Sequence, residues 1–186
     1  MGDHTFFFYG TLMAPSILHR IIHGSPTPEL WQKALLTTRP ALLPGYRRYR
    51  VHNADYPAIL PSSEADSAVL GVVVTGLTEG DVLRLDTFEG SQYEKRTVKV
   101  RVLKSTAAST ENKQAQDGDD KALQKGLDQT AHLAEGGNET EMDEVEATTY
   151  VWTDLESDLD MHAEWDFESF KRDKLQWWIT APEDDL

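Results

Sequence analysis

The run Phe6-Phe7-Phe8-Tyr9-Gly10-Thr11-Leu12 constrains this chain more than any other stretch. Three consecutive phenylalanines are poorly solvated strand formers, so a buried strand is predicted over about residues 4–10. Gly10 admits backbone angles closed to other residues and lets a ligand approach the main chain. Thr11 can hydrogen-bond locally, and Met13-Ala14-Pro15-Ser16 suits a helix start. A strand turning directly into a helix leaves backbone N–H groups without partners, a place that favours an anion such as a substrate carboxylate. On this segment alone, an ordinary strand–turn–helix connection is the simpler reading.

Further along, Ser16–Ile22 is helical and stops at Gly24, and a short helical piece runs from Pro28 through Trp31 with Thr27 as its cap. Extended segments are predicted at Leu35–Leu43, Tyr46–Val51 and Tyr56–Leu60. The β-branched run Ala68–Leu77 is the clearest central strand, interrupted by Gly71. Val82, Leu85 and Phe88 recur at three-residue spacing, which predicts a short helix over Gly80–Phe88 ending at Gly90. Val98, Val100 and Val102 alternate with Lys99 and Arg101, the period-2 signature of a strand with one buried face. The pattern then fails. Between Ala107 and Glu144 stand ten acidic and three basic residues, a net −7. So little apolar surface cannot offset the entropy of ordering, which predicts a mobile acidic insertion. A strand resumes at Glu146–Trp152, Asp154–Asp160 reads as a solvated approach, and a helix follows around Trp165–Ile179. Several strands with few crossover helices predict an α+β fold: a mostly antiparallel or mixed barrel-like sheet with helices packed outside. Residues 1–186 form one domain in this reading, with a flexible insertion at 104–144.

The formal charge of −14 argues against nucleic acid and anionic membrane surfaces as partners. Cysteine is absent, which removes disulfide and thiolate chemistry. Met1-Gly2-Asp3-His4 has no basic start and Phe6 breaks the myristoylation pattern, so a cytoplasmic protein is expected. No zinc spacing, phosphate-binding glycine fingerprint or nucleophile elbow is present. His19 and His23 stand four residues apart on a helix but lack a third ligand, and no metal or other cofactor is expected.

Glu89 falls in the last turn of its helix, where the macrodipole is negative and raises a carboxyl pKa. Partly buried beside Phe88, it could exchange protons at working pH; a solvated glutamate before a helix-stopping glycine is the alternative.

Phe7-Phe8-Tyr9-Gly10-Thr11-Leu12, followed by Leu85-Asp86-x-Phe88-Glu89-Gly90-x-x-Tyr93-x-x-Arg96 and a valine-rich strand, resembles the gamma-glutamylcyclotransferase-like superfamily. Within it the chain is most similar to the avirulence-induced-gene and gamma-glutamylamine cyclotransferase branch. Tyr56-Pro57-Ala58, Val69–Val73, Tyr150-Val151-Trp152 and Glu164–Phe167 add to the likeness, which the acidic insertion interrupts. The resemblance implies a small mixed β-barrel flanked by helices. It further implies a loop of Tyr9, Gly10, Thr11, Leu12 and Met13 that holds a glutamyl group by backbone N–H groups. Glu89 corresponds to the acid/base, and Tyr93 and Tyr150 to cavity-lining hydroxyls. The implied partner is a small γ-glutamyl amine or amino acid, cyclised to 5-oxoproline. The alternative is a non-catalytic binding or regulatory protein on the same barrel, engaging a protein partner through the acidic insertion.

Overall fold

The aromatic run fills two compartments at once. In the computed structural model, which describes residues 2–104, 116–136 and 141–186, strand β1 covers His4–Phe8. Side chains alternate across a strand, so Phe7 and the following Tyr9 join one apolar cluster while Phe6 and Phe8 join another. Phe7 is fully buried among Ala41, Leu43, Val73, Val100 and Val102, which fill the interior of a closed barrel. Phe6 and Phe8 pack outside it, under helices that contribute Ile17, Leu85 and Trp178.

The barrel joins β1, β5 (Ala68–Leu77), β2 (Thr37–Pro44), β6 (Tyr93–Leu103) and β7 (Met142–Trp152), in that order. Its pairs are antiparallel except β1 with β7, which run parallel and close the ring. The alternation in β6 has the expected effect: Val98, Val100 and Val102 face the interior, while Lys99 reaches out to Glu144 at 3.3 Å. Gly71 is required in β5, because a Cβ there would stand 2.3 Å from the Phe8 carbonyl oxygen and 2.8 Å from the Phe7 ring. A second sheet orders β4 (Pro57–Pro61), β3 (Tyr46–Val51) and the short β8 (Leu159–Asp160). Thus part of the expected solvated approach is a strand, with Leu159 buried.

Helix α1 (Pro15–His23) follows a 3-10 turn at Thr11–Met13, and α3 spans Glu79–Glu89. The short helix α2 (Leu30–Ala34) is capped by Glu29 rather than Thr27: Glu29 and Gln32 exchange side-chain and backbone bonds as a capping box. The single helix expected around Trp165–Ile179 is two, α5 (Phe167–Asp173) and α6 (Leu175–Thr180), broken at Lys174. Asp166 caps α5 by accepting from the Ser169 N–H. Within the segment expected to stay mobile, Gln116–Glu135 forms helix α4. Leu127 and Thr130 are buried, and Gly126 sits against Pro40 of β2. Leu123 and Leu127, four residues apart, supply one sparse apolar face, enough to dock on a barrel though too thin to stand out among the charges. The rest of that segment, residues 105–115 and 137–140, lies outside the described residues. Among the described residues no helix is long and apolar enough to cross a membrane.

Candidate active site

The backbone just beyond β1 is unusually rich in free donors. Gly10 opens the 3-10 turn, which is closed by the Met13 N–H donating to the Gly10 carbonyl at 3.0 Å and the Ala14 N–H to Thr11 at 3.2 Å. The N–H groups of Gly10, Thr11 and Leu12 have no acceptor among the described residues. Three successive unpaired amides at a turn suit an anion. Glycine is needed at position 10 because a Cβ there would come 2.7 Å from the Pro57 ring. Behind the loop, Arg48 donates to the Tyr9 carbonyl at 2.9 Å and to Leu70 at 3.0 Å, with its guanidinium stacked on Trp165.

Helix α3 brings up the carboxylate. Thr78 and Asp81 form a capping box at its start, fully buried Leu85 anchors it, and Glu89 is its final residue before Gly90. Glu89 is half-buried and makes no hydrogen bond or ion pair with the described residues. Burial pushes its carboxyl up to about 8, and the nearby charge of Asp86 adds to the shift. Asp86, one turn earlier, is fully partnered: it accepts from the Tyr150 hydroxyl at 2.8 Å and from Lys95 Nζ at 2.7 Å. The Tyr9 hydroxyl donates to the Tyr150 carbonyl at 2.7 Å and the Tyr93 hydroxyl to the Pro57 carbonyl at 2.9 Å. Burial above all, with Glu89's charge among the lesser causes, holds the Tyr9, Tyr93 and Tyr150 hydroxyls protonated.

These parts share one cavity of about 230 Å³. Tyr9, Gly10, Thr11, Leu12, Glu89, Tyr93 and Tyr150 all line it. Met13 does not: it is buried, and its N–H is spent within the turn. Sequence reasoning missed several walls. Phe88 and Trp178, meeting edge to face at 5.9 Å, line the cavity with Tyr56, Pro57 and Leu186. Of the paired tryptophans, Trp178 is buried at the cavity while Trp177 is 48% exposed, a division that α6 makes and no local pattern announces. Tyr56 and Pro57 were legible only as part of the family likeness. His19 and His23 lie apart from the cavity, their Nδ1 atoms 2.9 Å apart on α1. Among the described residues no group of three or more His, Asp or Glu is arranged to hold a metal ion. Arg96 pairs with Glu94 at the surface.

The arrangement offers an anion cradle, a proton carrier near neutrality and an apolar wall around one cavity. The sequence profile described as "Gamma-glutamyl cyclotransferase, AIG2-like" matches residues 6–120. Curated relatives from Arabidopsis thaliana include Protein AIG2 B, 29% identical over 96% of this chain and 77% of its own length. AIG2-like protein B is 28% identical, covering 96% and 75%. Two solution structures of Arabidopsis thaliana proteins share the fold. One has a TM-score of 0.51 at 26% identity, covering 91% of this chain and 80% of that one. The other has a TM-score of 0.51 at 23% identity, covering 98% and 87%. With more than half of its length matched and the loop and carboxylate both facing the cavity, the chain belongs to the AIG2-like gamma-glutamyl cyclotransferase family.

Proposed function

We propose that this protein cyclises a γ-glutamyl amine or γ-glutamyl amino acid, releasing the amine and 5-oxoproline, with Glu89 as the acid/base. The observation that carries this reading is a carboxylate lining the same cavity as three backbone amides, all four without a hydrogen-bond partner among the described residues. The substrate's α-carboxylate sits on the N–H groups of residues 10–12, which folds the glutamyl chain back on itself. Its α-ammonium faces Glu89, whose carboxyl burial pushes up to about 8, so the carboxylate is a stronger base for that proton than an ordinary glutamate. The freed amine nitrogen attacks the γ-carbonyl carbon, forming the ring C–N bond. Glu89 then returns its proton to the departing nitrogen as the original C–N bond breaks; the ring nitrogen sheds its second proton to the released amine, which leaves as an ammonium, so no net proton is consumed. Attack is intramolecular, so holding the reactive conformer supplies much of the acceleration and no covalent enzyme intermediate is required.

The test is 5-oxoproline release across a γ-glutamyl panel, run beside Glu89→Gln. Glutamine keeps shape and removes proton transfer, so turnover should fall by about 10²-fold or more with the fold intact. Unchanged turnover removes Glu89 from this role.

A further inference from the structure

Resting on that reading, positive charge for the substrate's α-carboxylate has to come from behind the loop. Among the described residues no Lys or Arg side chain lines the cavity, so the N–H groups of residues 10–12 meet the anion with no cation beside it. The cation bound to this loop is Arg48 of β3. One nitrogen, Nη1, donates both to the Tyr9 carbonyl and to the Leu70 carbonyl of β5. Burying a guanidinium is costly, and this one is weakly compensated. Its Nε is buried without a partner among the described residues. Its one ion pair among them is with Glu164 at 3.8 Å, a side chain 65% exposed and therefore screened by water. The Trp165 ring lies 5.4 Å from the guanidinium and is itself pinned, its Nε1 donating to the Asp55 carbonyl at 2.6 Å. The Asp55 carboxylate accepts from Trp178 Nε1 at 3.2 Å, which ties the plate under Arg48 to the cavity wall. A charge held this firmly and neutralised this little acts on its surroundings.

The carbonyl that Arg48 binds belongs to the same peptide unit as the Gly10 N–H. A cation on the oxygen of an amide draws electrons from its nitrogen and makes its N–H a stronger donor. That N–H is the first of the three loop amides with no acceptor among the described residues. Arg48 does not line the cavity, so it acts through the peptide rather than by touching the ligand. We infer that Arg48 is a positioning residue for the α-carboxylate: bound to the oxygen of the Tyr9–Gly10 peptide, it fixes that amide and lends its charge to the Gly10 N–H.

Two ligands differing at one group test this on the full chain: γ-glutamylbutylamide, and its analogue with an α-carboxamide in place of the α-carboxylate. Calorimetry on Glu89→Gln reads the ratio of their affinities without turnover. The carboxylate should bind tighter by about tenfold or more. Adding Arg48→Gln, which keeps a donor but not the charge, should remove most of that preference and leave the carboxamide's affinity unchanged. Arg48→Lys, which keeps the charge, should retain it; a loss equal to that of Arg48→Gln overturns the inference. Equal weakening of both ligands in Arg48→Gln marks a merely structural role, and an unchanged preference marks none; either overturns it. In turnover with Glu89 present, Arg48→Gln should raise KM with kcat near that of the parent, because the α-carboxylate is held alike in ground and transition states. Should Arg48→Gln fail to fold, Glu164→Gln at its exposed site carries the test. Removing that carboxylate frees the guanidinium's charge and should raise the preference about twofold, and no change overturns the inference. Absence of any preference while Arg48 is present removes the cradle and the inference with it. A preference without turnover of the parent protein counts against the reaction alone.

Discussion

The two ends of helix α3 carry acids under opposite terms. At the N-terminal end Asp81 is buried but partnered: it accepts from the Thr78 N–H at 2.9 Å and lies 3.7 Å from Arg84. It also sits at the positive pole of the helix. At the C-terminal end Glu89 has the unfavourable pole, no donor and a desolvating wall. One acid completes the architecture; the other is left uncompensated by it. Uncompensated polar groups cost stability and cluster where chemistry needs them, so the contrast is the one the proposed acid/base role of Glu89 requires.

The comparison breaks most sharply at Glu89. Besides the loss of turnover, Glu89→Gln should raise the melting temperature. The folded-state pKa lies above the ordinary value of 4.5, so ionisation costs the folded state stability as pH rises from about 4.5 through about 8. The variant's gain should be largest above pH 8, about 2–4 °C for each kcal/mol relieved, and vanish near pH 4. A gain independent of pH would contradict the assigned cause. Thr78→Ala, at the other end, should lower stability by about 1 kcal/mol without moving the pH profile of kcat/KM. Asp86→Asn sharpens the contrast. Removing that negative charge should lower the Glu89 pKa and shift the acid limb of kcat/KM to lower pH; an upward or absent shift would deny the coupling. The smallest effect belongs to His19, which burial and the neighbouring His23 hold down to about 4. Its neutral form is favoured on folding, so its contribution is complete above pH 6.5 and is lost as pH falls towards 4. His19→Gln should flatten melting temperature against pH across that window.

Much of this was legible in the residues. Alternation in β6, the aromatic run of β1 and the three-residue spacing in α3 each encode a period that burial enforces. The loop and Glu89 were nameable because strand end, glycine and helix end all mark themselves locally, and the family likeness joined them. What escaped depends on distant pairing. Phe88 and Trp178 meet only because α6 folds back over α3, and Arg48 finds the Tyr9 carbonyl across 39 positions. Helix α4 escaped for a different reason, since Leu123 and Leu127 acquire meaning only against a barrel surface already built. The Glu29 cap of α2 shows the limit of local rules, as a longer acid took the place expected for Thr27.

Where β1 meets β7 the ladder has one paired position, Phe6 with Thr148. Two hydroxyls buckle it further: Thr149 Oγ1 onto the Phe7 carbonyl at 2.9 Å and the Tyr9 hydroxyl onto Tyr150. That seam is the thinnest stitch in the cylinder, and both of its last two participants, Tyr9 and Tyr150, are also cavity walls. Any breathing of the cylinder there therefore loosens the cavity wall too, and amide exchange along Phe6–Phe8 would time its opening.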